Sequence, residues 1–235
     1  MKKYLVEFVG TFFLVLTIGN VVLAPNDAGA LAPLAIGAVL MAMVFAGGHV
    51  SGGHYNPAVT IALFIGGKIG ALKGAAYIIV QLLGATVAAL VLNEIFDNSV
   101  ADLAGAIPAV DYAGDQDGII VGRTNAFILE AITTFFLVYV ICGTAVDSRG
   151  AHAIAALAIG LTITMDILIA GPLTGAAMNP SRHFGPALVE GEWKDTWIYW
   201  AGPVIGGSLA SIVHNYIFIP RAVGFPEAMP GEHHA

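Results

Sequence analysis

The sequence predicts an all-α membrane protein with six transmembrane helices and two re-entrant half-helices, arranged as an inverted internal repeat. Three observations carry the prediction. Of 235 residues, 57% are hydrophobic and 11% charged, where an ordinary soluble domain has about 25% charged. With a mean hydropathy of +0.83, too few solvated side chains exist to cover a globule, and a bilayer is the natural solvent. The second observation is a pair of short apolar stretches, each opened by Asn-Pro. The third is a constant offset of 123 residues that relates one half of the chain to the other.

A spanning helix needs about 20 mostly apolar residues. Six runs qualify: 4–24, 31–48, 70–96, 124–146, 151–170 and 196–219. The first follows Met1-Lys2-Lys3 but is long, contains Glu7 and lacks a clear small-residue cleavage site, so a retained span is expected rather than a secretory signal. Between the second and third spans, Asn56-Pro57-Ala58 leads into the apolar residues 61–65; between the fifth and sixth, Asn179-Pro180-Ser181 leads into residues 184–189. Asparagine favours the N-cap and proline the first helical position, so each reads as a helix start. At about 10–12 residues, roughly 15–18 Å, each helix reaches only half-way across a hydrocarbon core.

Adding 123 to Glu7, Thr11, Phe12, Phe13, Leu14 and Val15 returns Glu130, Thr134, Phe135, Phe136, Leu137 and Val138. The same offset carries Gly37 to Gly160, Gly52 to Gly175, Asn56 to Asn179, Pro57 to Pro180 and Gly84 to Gly207. Each copy holds an odd number of spans, so the second enters the membrane from the opposite face and the two half-helices can meet near the midplane. The expected organisation is one transmembrane domain over 1–235, with halves at approximately 1–100 and 124–223 joined by an external loop, 97–123. That loop carries Asp97, Asp102, Asp111, Asp115 and Asp117. Lys2, Lys3, Lys68, Lys73, Arg149 and Arg221 fall on the N-terminal side and Arg123, Arg182 and Lys194 on the other, which predicts cytoplasmic termini.

Nine basic against sixteen acidic residues, a net charge of −7, exclude the basic footprint of a nucleic-acid binder. Cys142 is the single cysteine and can form no intrachain disulfide; packing is its expected use. His49, His152, His214, His233 and His234 show no metal-ligand spacing, and no metal or cofactor is expected. Asp166 has no assigned role, with external exposure or a local salt bridge as the default. Gly202-xxx-Gly206 permits close helix approach within a protomer or between protomers.

The stretch Gly48-His49-Val50-Ser51-Gly52-Gly53-His54-Tyr55-Asn56-Pro57-Ala58-Val59-Thr60, the second motif Asn179-Pro180-Ser181-Arg182 and a glutamate in the first and fourth spans resemble the aquaporin family, the major intrinsic proteins. The resemblance covers nearly the whole chain. Compact loops and aliphatic character look most like archaeal or bacterial members, and Ser181 departs from the usual alanine. The resemblance implies a pore centred on Asn56, Pro57, Ala58, Asn179, Pro180 and Ser181, with a narrow filter at Ile36, Ile167, Ala176 and Arg182. It implies lumen-facing carbonyls at Gly52, Gly53, His54, Gly175, Ala176 and Ala177. Glu7 and Glu130 are expected to brace the loops near His54 and Ala177 by accepting backbone or imidazole hydrogen bonds, with proton coupling as the competing role. A homotetramer in the lipid of the cell membrane, one pore per subunit, is also implied.

Two opposed helix N-termini, each worth about +0.5 charge, would repel cations at the midplane, as is argued for aquaporin-type pores generally. Each asparagine is expected to cap its helix through the side-chain oxygen and to leave its NH₂ free to donate into the lumen. A guanidinium at Arg182 adds a donor and a positive charge. Strict water channels of the family usually carry an aromatic and a histidine where this chain has Ile36 and Ile167, which points toward a more permissive filter. His183, Ala187 and Tyr199-Trp200 resemble the water-channel subgroup instead. The expectation is a passive water channel that excludes ions and protons. A glycerol or small-neutral-solute facilitator is the nearest alternative, and an inverted-repeat secondary transporter is the rival from another class. No nucleophile–base pair or metal cluster suggests an enzyme.

Overall fold

The computed structural model describes residues 1–23, 28–96, 107–111 and 120–218. Asp97, Asp102, Asp115 and Asp117 of the expected external loop, together with Arg221, His233 and His234, lie outside these residues. Among the described residues eight α-helices are formed: α1 Lys2–Leu23, α2 Ala32–Ser51, α3 Pro57–Ile65, α4 Ala71–Phe96, α5 Arg123–Ile141, α6 Ala155–Thr174, α7 Pro180–Glu190 and α8 Thr196–Val213. Five stretches of the described residues are long and apolar enough to cross a membrane: Lys2–Leu23, Ala32–Ser51, Ala71–Phe96, Arg123–Val146 and His152–Thr174. The sixth long helix, α8, is diluted by Thr196, Trp197, Tyr199, Trp200, Pro203 and three glycines, and continues into a wide turn at His214–Phe218. At 9 and 11 residues, α3 and α7 are the two short helices.

Helix ends follow local chemistry. α2 and α6 both run three or four residues past their expected ends and stop where a glycine adopts a left-handed conformation, Gly52 and Gly175. Pro172 lies inside the last turn of α6 without ending it. A wide turn at Cys142–Val146 closes α5, with Asp147 N–H donating to the Cys142 carbonyl at 2.9 Å.

The packing repeats as the sequence does. α1 packs on α2 and α4, α5 packs on α6 and α8, and α2 crosses α6. Each half-helix lies against a long helix of the opposite half, α3 on α8 and α7 on α4, so neither half is complete alone. At the α2–α6 crossing, a Cβ added to Gly37 would strike the Gly160 carbonyl, and one added to Gly160 would strike the Gly37 carbonyl. Larger residues would push these helices apart.

One mapping changes. A Cβ on Gly84 would meet the Phe8 carbonyl, and one on Gly206 would meet the Ala131 carbonyl. Phe8 and Ala131 are themselves 123 apart, so the partner of Gly84 is Gly206 rather than Gly207. From capping asparagine to packing glycine the second half is one residue shorter, Asn179 to Gly206 against Asn56 to Gly84, and the offset there falls to 122. Gly202 and Gly206 both face α5, at Glu130 and Ala131, which places their close approach within the protomer.

Candidate functional site

Residues 52–55 and 175–178 form the loops that lead into the half-helices. Positive φ occurs at Gly52 (103°), Gly53 (64°) and Tyr55 (48°), and again at Gly175 (77°), Ala176 (41°) and Met178 (51°). The three positions match at the offset of 123. Left-handed backbone at Tyr55, Ala176 and Met178 is strained by roughly 1–3 kcal/mol each and persists only where surroundings over-determine it.

The over-determining groups are two buried carboxylates. Glu7 Oε1 accepts from Ser51 Oγ (2.6 Å) and His54 N (3.0 Å), and its Oε2 from Tyr55 N (2.7 Å) and Gln81 Nε2 (2.8 Å). Glu130 Oε1 accepts from Thr174 Oγ1 (2.8 Å) and Ala177 N (2.9 Å), and its Oε2 from Met178 N (2.8 Å). Turned out of any helix, these loop N–H groups have no helical acceptor, and the carboxylates supply one. The His54 ring does not meet Glu7; its Nδ1 lies 3.0 Å from Thr60 Oγ1. Tyr77 and Tyr199 donate their hydroxyls to the carbonyls of Ser51 (2.7 Å) and Thr174 (3.0 Å).

Asn56 and Asn179 cap the half-helices. Asn56 Oδ1 accepts from Ala58 N at 2.8 Å and Val59 N at 3.5 Å; Asn179 Oδ1 accepts from Ser181 N at 3.0 Å and Ser181 Oγ at 2.7 Å. The amides also reach across the molecule. Asn56 Nδ2 donates to the Met178 carbonyl (2.8 Å) and Asn179 Nδ2 to the Tyr55 carbonyl (2.9 Å). The expectation of a wholly free NH₂ is therefore corrected: one N–H of each ties the two loops together and one remains.

A cavity of about 1000 Å³ passes this junction. Its lining runs from Lys68, Ile69 and Val146 at one end to Ile107, Pro108, Ala109, Val110 and Asp111 at the other. Asn56, Asn179, Ile36, Ile167, Ala176 and Arg182 all border it, as do Gly52, Gly53, His54, Gly175 and Ala177. Arg182 is buried at 6% exposure. Pro57, Ala58, Pro180 and Ser181 are buried at the half-helix starts behind the asparagines.

Asp166 is neither exposed nor salt-bridged as the default had it. It is 1% exposed and its Oδ2 has no hydrogen-bond partner, because the residue faces the packed interior while its neighbour Ile167 borders the cavity. Cys142 is fully buried and does not border the cavity. No group of three or more potential metal ligands occurs among the described residues.

Sequence reasoning missed Ser51, Thr174, Gln81, the Tyr77 and Tyr199 hydroxyls and the cavity wall at 107–111. Ser51 and Thr174 were detectable, being hydroxyl residues at the same offset as the asparagines. Gln81, a lone amide in an apolar span, was a weaker signal. The 107–111 segment had none: Asp111 N–H docks on the Leu173 carbonyl (3.0 Å) and Pro108 packs on Gly175, contacts that only the folded chain reveals.

Comparison with known proteins points to one family. A probable TIP-type aquaporin of Medicago truncatula is 41% identical over 231 residues, covering 93% of this chain and 88% of the relative. A probable TIP-type alpha aquaporin of Phaseolus vulgaris is 42% identical over 232 residues (94% and 86%), and aquaporin NIP1-1 of Zea mays is 37% identical over 222 residues (92% and 75%). These are plant proteins, so they give no support to the expected likeness to archaeal or bacterial members. Among solved structures, the aquaglyceroporin from Plasmodium falciparum shares the fold with a TM-score of 0.76 at 24% identity, covering 92% of this chain and 96% of that one. The profile of the Major intrinsic protein family matches residues 1–214, and the chain belongs to that family.

Proposed function

We propose that this chain is a passive transmembrane channel for water that excludes ions and protons. One observation carries the reading: two asparagine amides, each capping its own half-helix and bonded to the opposite loop, border one cavity. The remaining N–H of each amide donates to the oxygen of a passing water. That water turns its own protons away from the midplane, so the donor–acceptor chain that would carry a proton is broken. The positive ends of α3 and α7 disfavour cations at the same place. The permeant stays neutral and moves singly.

Ile36, Ile167, Ala176 and Arg182 act as the narrow filter, and the carbonyls of Gly52, Gly53, His54, Gly175, Ala176 and Ala177 serve as acceptors along the wall. Glu7 and Glu130 hold the loops rather than move protons, since three or four donors converge on each carboxylate. The TIP-type and NIP aquaporins among the relatives support the water reading. Two isoleucines on the cavity wall favour a second permeant class, glycerol or other small neutral solutes, because an apolar wall with one strong donor discriminates less than two polar side chains do. Both termini are placed in the cytoplasm, with the halves 1–100 and 124–223 crossing the cell membrane in opposite senses and four protomers assembling, each with its own pore. Cysteine accessibility, membrane fractionation and cross-linking test these placements.

The deciding experiment is stopped-flow shrinkage of vesicles containing the purified protein, with water, glycerol and proton fluxes measured together. Water flux far above bare lipid, weakly temperature-dependent and without H⁺ current, is the expected result. Saturable flux with steep temperature dependence would overturn the channel reading in favour of a transporter.

A further inference from the structure

We propose that the second half contains a buried water site, bridging Glu130 and His183 behind the second loop, which does there what the Gln81 side chain does in the first half. Whatever passes through the cavity, the surroundings of the two loops differ.

In the first half, Gln81 Nε2 donates to Glu7 Oε2 (2.8 Å) and lies 3.1 Å from Thr60 Oγ1, which in turn meets the His54 ring. Every buried polar atom of that cluster has a partner. In the second half, the offset of 123 places His183 where Thr60 stands, four residues after the capping asparagine in each case. The register of 122 fixed by Gly84 and Gly206, and by the hydroxyls of Tyr77 and Tyr199, places Pro203 where Gln81 stands. Proline carries no side-chain donor. Glu130 Oε2 consequently keeps one donor, Met178 N, where Glu7 Oε2 has two.

His183 holds the complementary deficit. It is fully buried, stacks on Tyr199 with ring centroids 4.9 Å apart, and neither Nδ1 nor Nε2 has a hydrogen-bond partner. It does not border the cavity, so pore water does not serve it. A buried imidazole needs one donor and one acceptor, and a carboxylate oxygen short of a donor can receive another hydrogen. One water joins the two, donating to Glu130 Oε2 while pairing with one of the two ring nitrogens. Buried polar groups without protein partners are met by ordered water as a rule. The ligand class is water rather than a cation, since Arg182 precedes His183 and no acidic cluster of metal-binding size is present among the described residues.

The test is an electron-density map of the intact protein at a resolution that shows ordered water, paired with hydroxyl-radical footprinting of the same preparation. Expected are a density peak within hydrogen-bonding distance of both Glu130 Oε2 and a His183 nitrogen, and oxidation of His183 despite its burial. The Pro203→Gln variant supplies the missing amide; its map should show the amide in place of the water, with His183 oxidation reduced several-fold. A wild-type map without that peak, or with the His183 ring bonded directly to a protein atom, would overturn the proposal. Flux through vesicles is read separately, so failure of the water site and failure of the channel reading remain distinguishable.

Discussion

The first loop and the second share their backbone and part company in what surrounds it. Positive φ recurs at three matching positions, a buried carboxylate takes two successive N–H groups in each, and a tyrosine hydroxyl ties the end of the preceding helix. Beyond that layer the halves differ. In the first, the imidazole comes from the loop, His54, and lies 5.2 Å from Tyr77; in the second it comes from the half-helix, His183, and lies 4.9 Å from Tyr199, while the loop contributes Ala177. Each half thus packs one imidazole on its tyrosine, and only His54 borders the cavity. What recurs is what the backbone requires, because loop N–H groups buried away from water must have an acceptor. Side-chain polarity behind that layer is free to drift so long as volume is filled and polar atoms are met.

Replacing the carboxylates tests this contrast most severely. Glu7→Gln turns an amide NH₂ toward donors already present; with four protein donors on Glu7 against three on Glu130, whose proposed fourth is a water able to turn and accept, it should cost more than Glu130→Gln. Losses of about 3–5 kcal/mol are expected for breaking such a buried charged network, the first exceeding the second by roughly one unsatisfied group, about 1–3 kcal/mol. Thermal unfolding in detergent reads the difference. Equal losses would show that Gln81 contributes nothing to the brace.

Asn56→Asp and Asn179→Asp come next. Each keeps the capping oxygen, loses the crossing donor, and sets a carboxylate against a carbonyl at the cavity wall. Stability should fall by about 1–3 kcal/mol in either variant, with cation leak appearing in vesicle assays. Because the crossing bonds are 2.8 and 2.9 Å, the two effects should match; a wide disparity would break the symmetry at the junction. Ile36→Phe sharpens the filter assignment, and a several-fold drop in glycerol flux with a smaller drop in water flux is expected. An unchanged ratio would remove Ile36 from the filter.

The smallest effect is assigned to Asp147→Asn, which lies outside both braces. The adjacent Arg149 guanidinium, at 2.6 and 3.0 Å, holds the Asp147 carboxyl well below the usual carboxylate range. A depressed carboxyl contributes stability above the ordinary carboxylate range and loses it as pH falls through its lowered value. Since the Arg149 partner is open to solvent and the pair is screened from that side, the melting temperature should differ little between variant and wild type at neutral pH, and that small gap should close in acid. A large neutral-pH difference would mean that this turn carries load the braces do not.

Much of the architecture was legible because membrane chemistry leaves few options. Apolar length marks the long helices, since a span without internal hydrogen bonds is excluded from lipid. Asn-Pro marks the half-helix starts through capping and the missing proline N–H, and the offset of 123 disclosed the inversion. Glu7 and Glu130 stood out because carboxylates do not lie deep in apolar spans without partners. The crossing of Asn56 to Met178 and of Asn179 to Tyr55 was not legible, nor was the burial of Asp166: both depend on which face of an element turns toward which neighbour, and a nearly uniform apolar sequence records that weakly.

By itself, then, the sequence determined that the chain is a membrane-spanning duplicate with two asparagine-capped stubs, because length, capping and self-similarity are local properties written residue by residue. Tertiary structure alone decided the change of register to 122, the packing of each half-helix on the opposite half, and the use of one amide N–H to join the loops. Those outcomes arise where segments over a hundred residues apart compete for the same donors and the same space, and the contest is settled only when the helices meet.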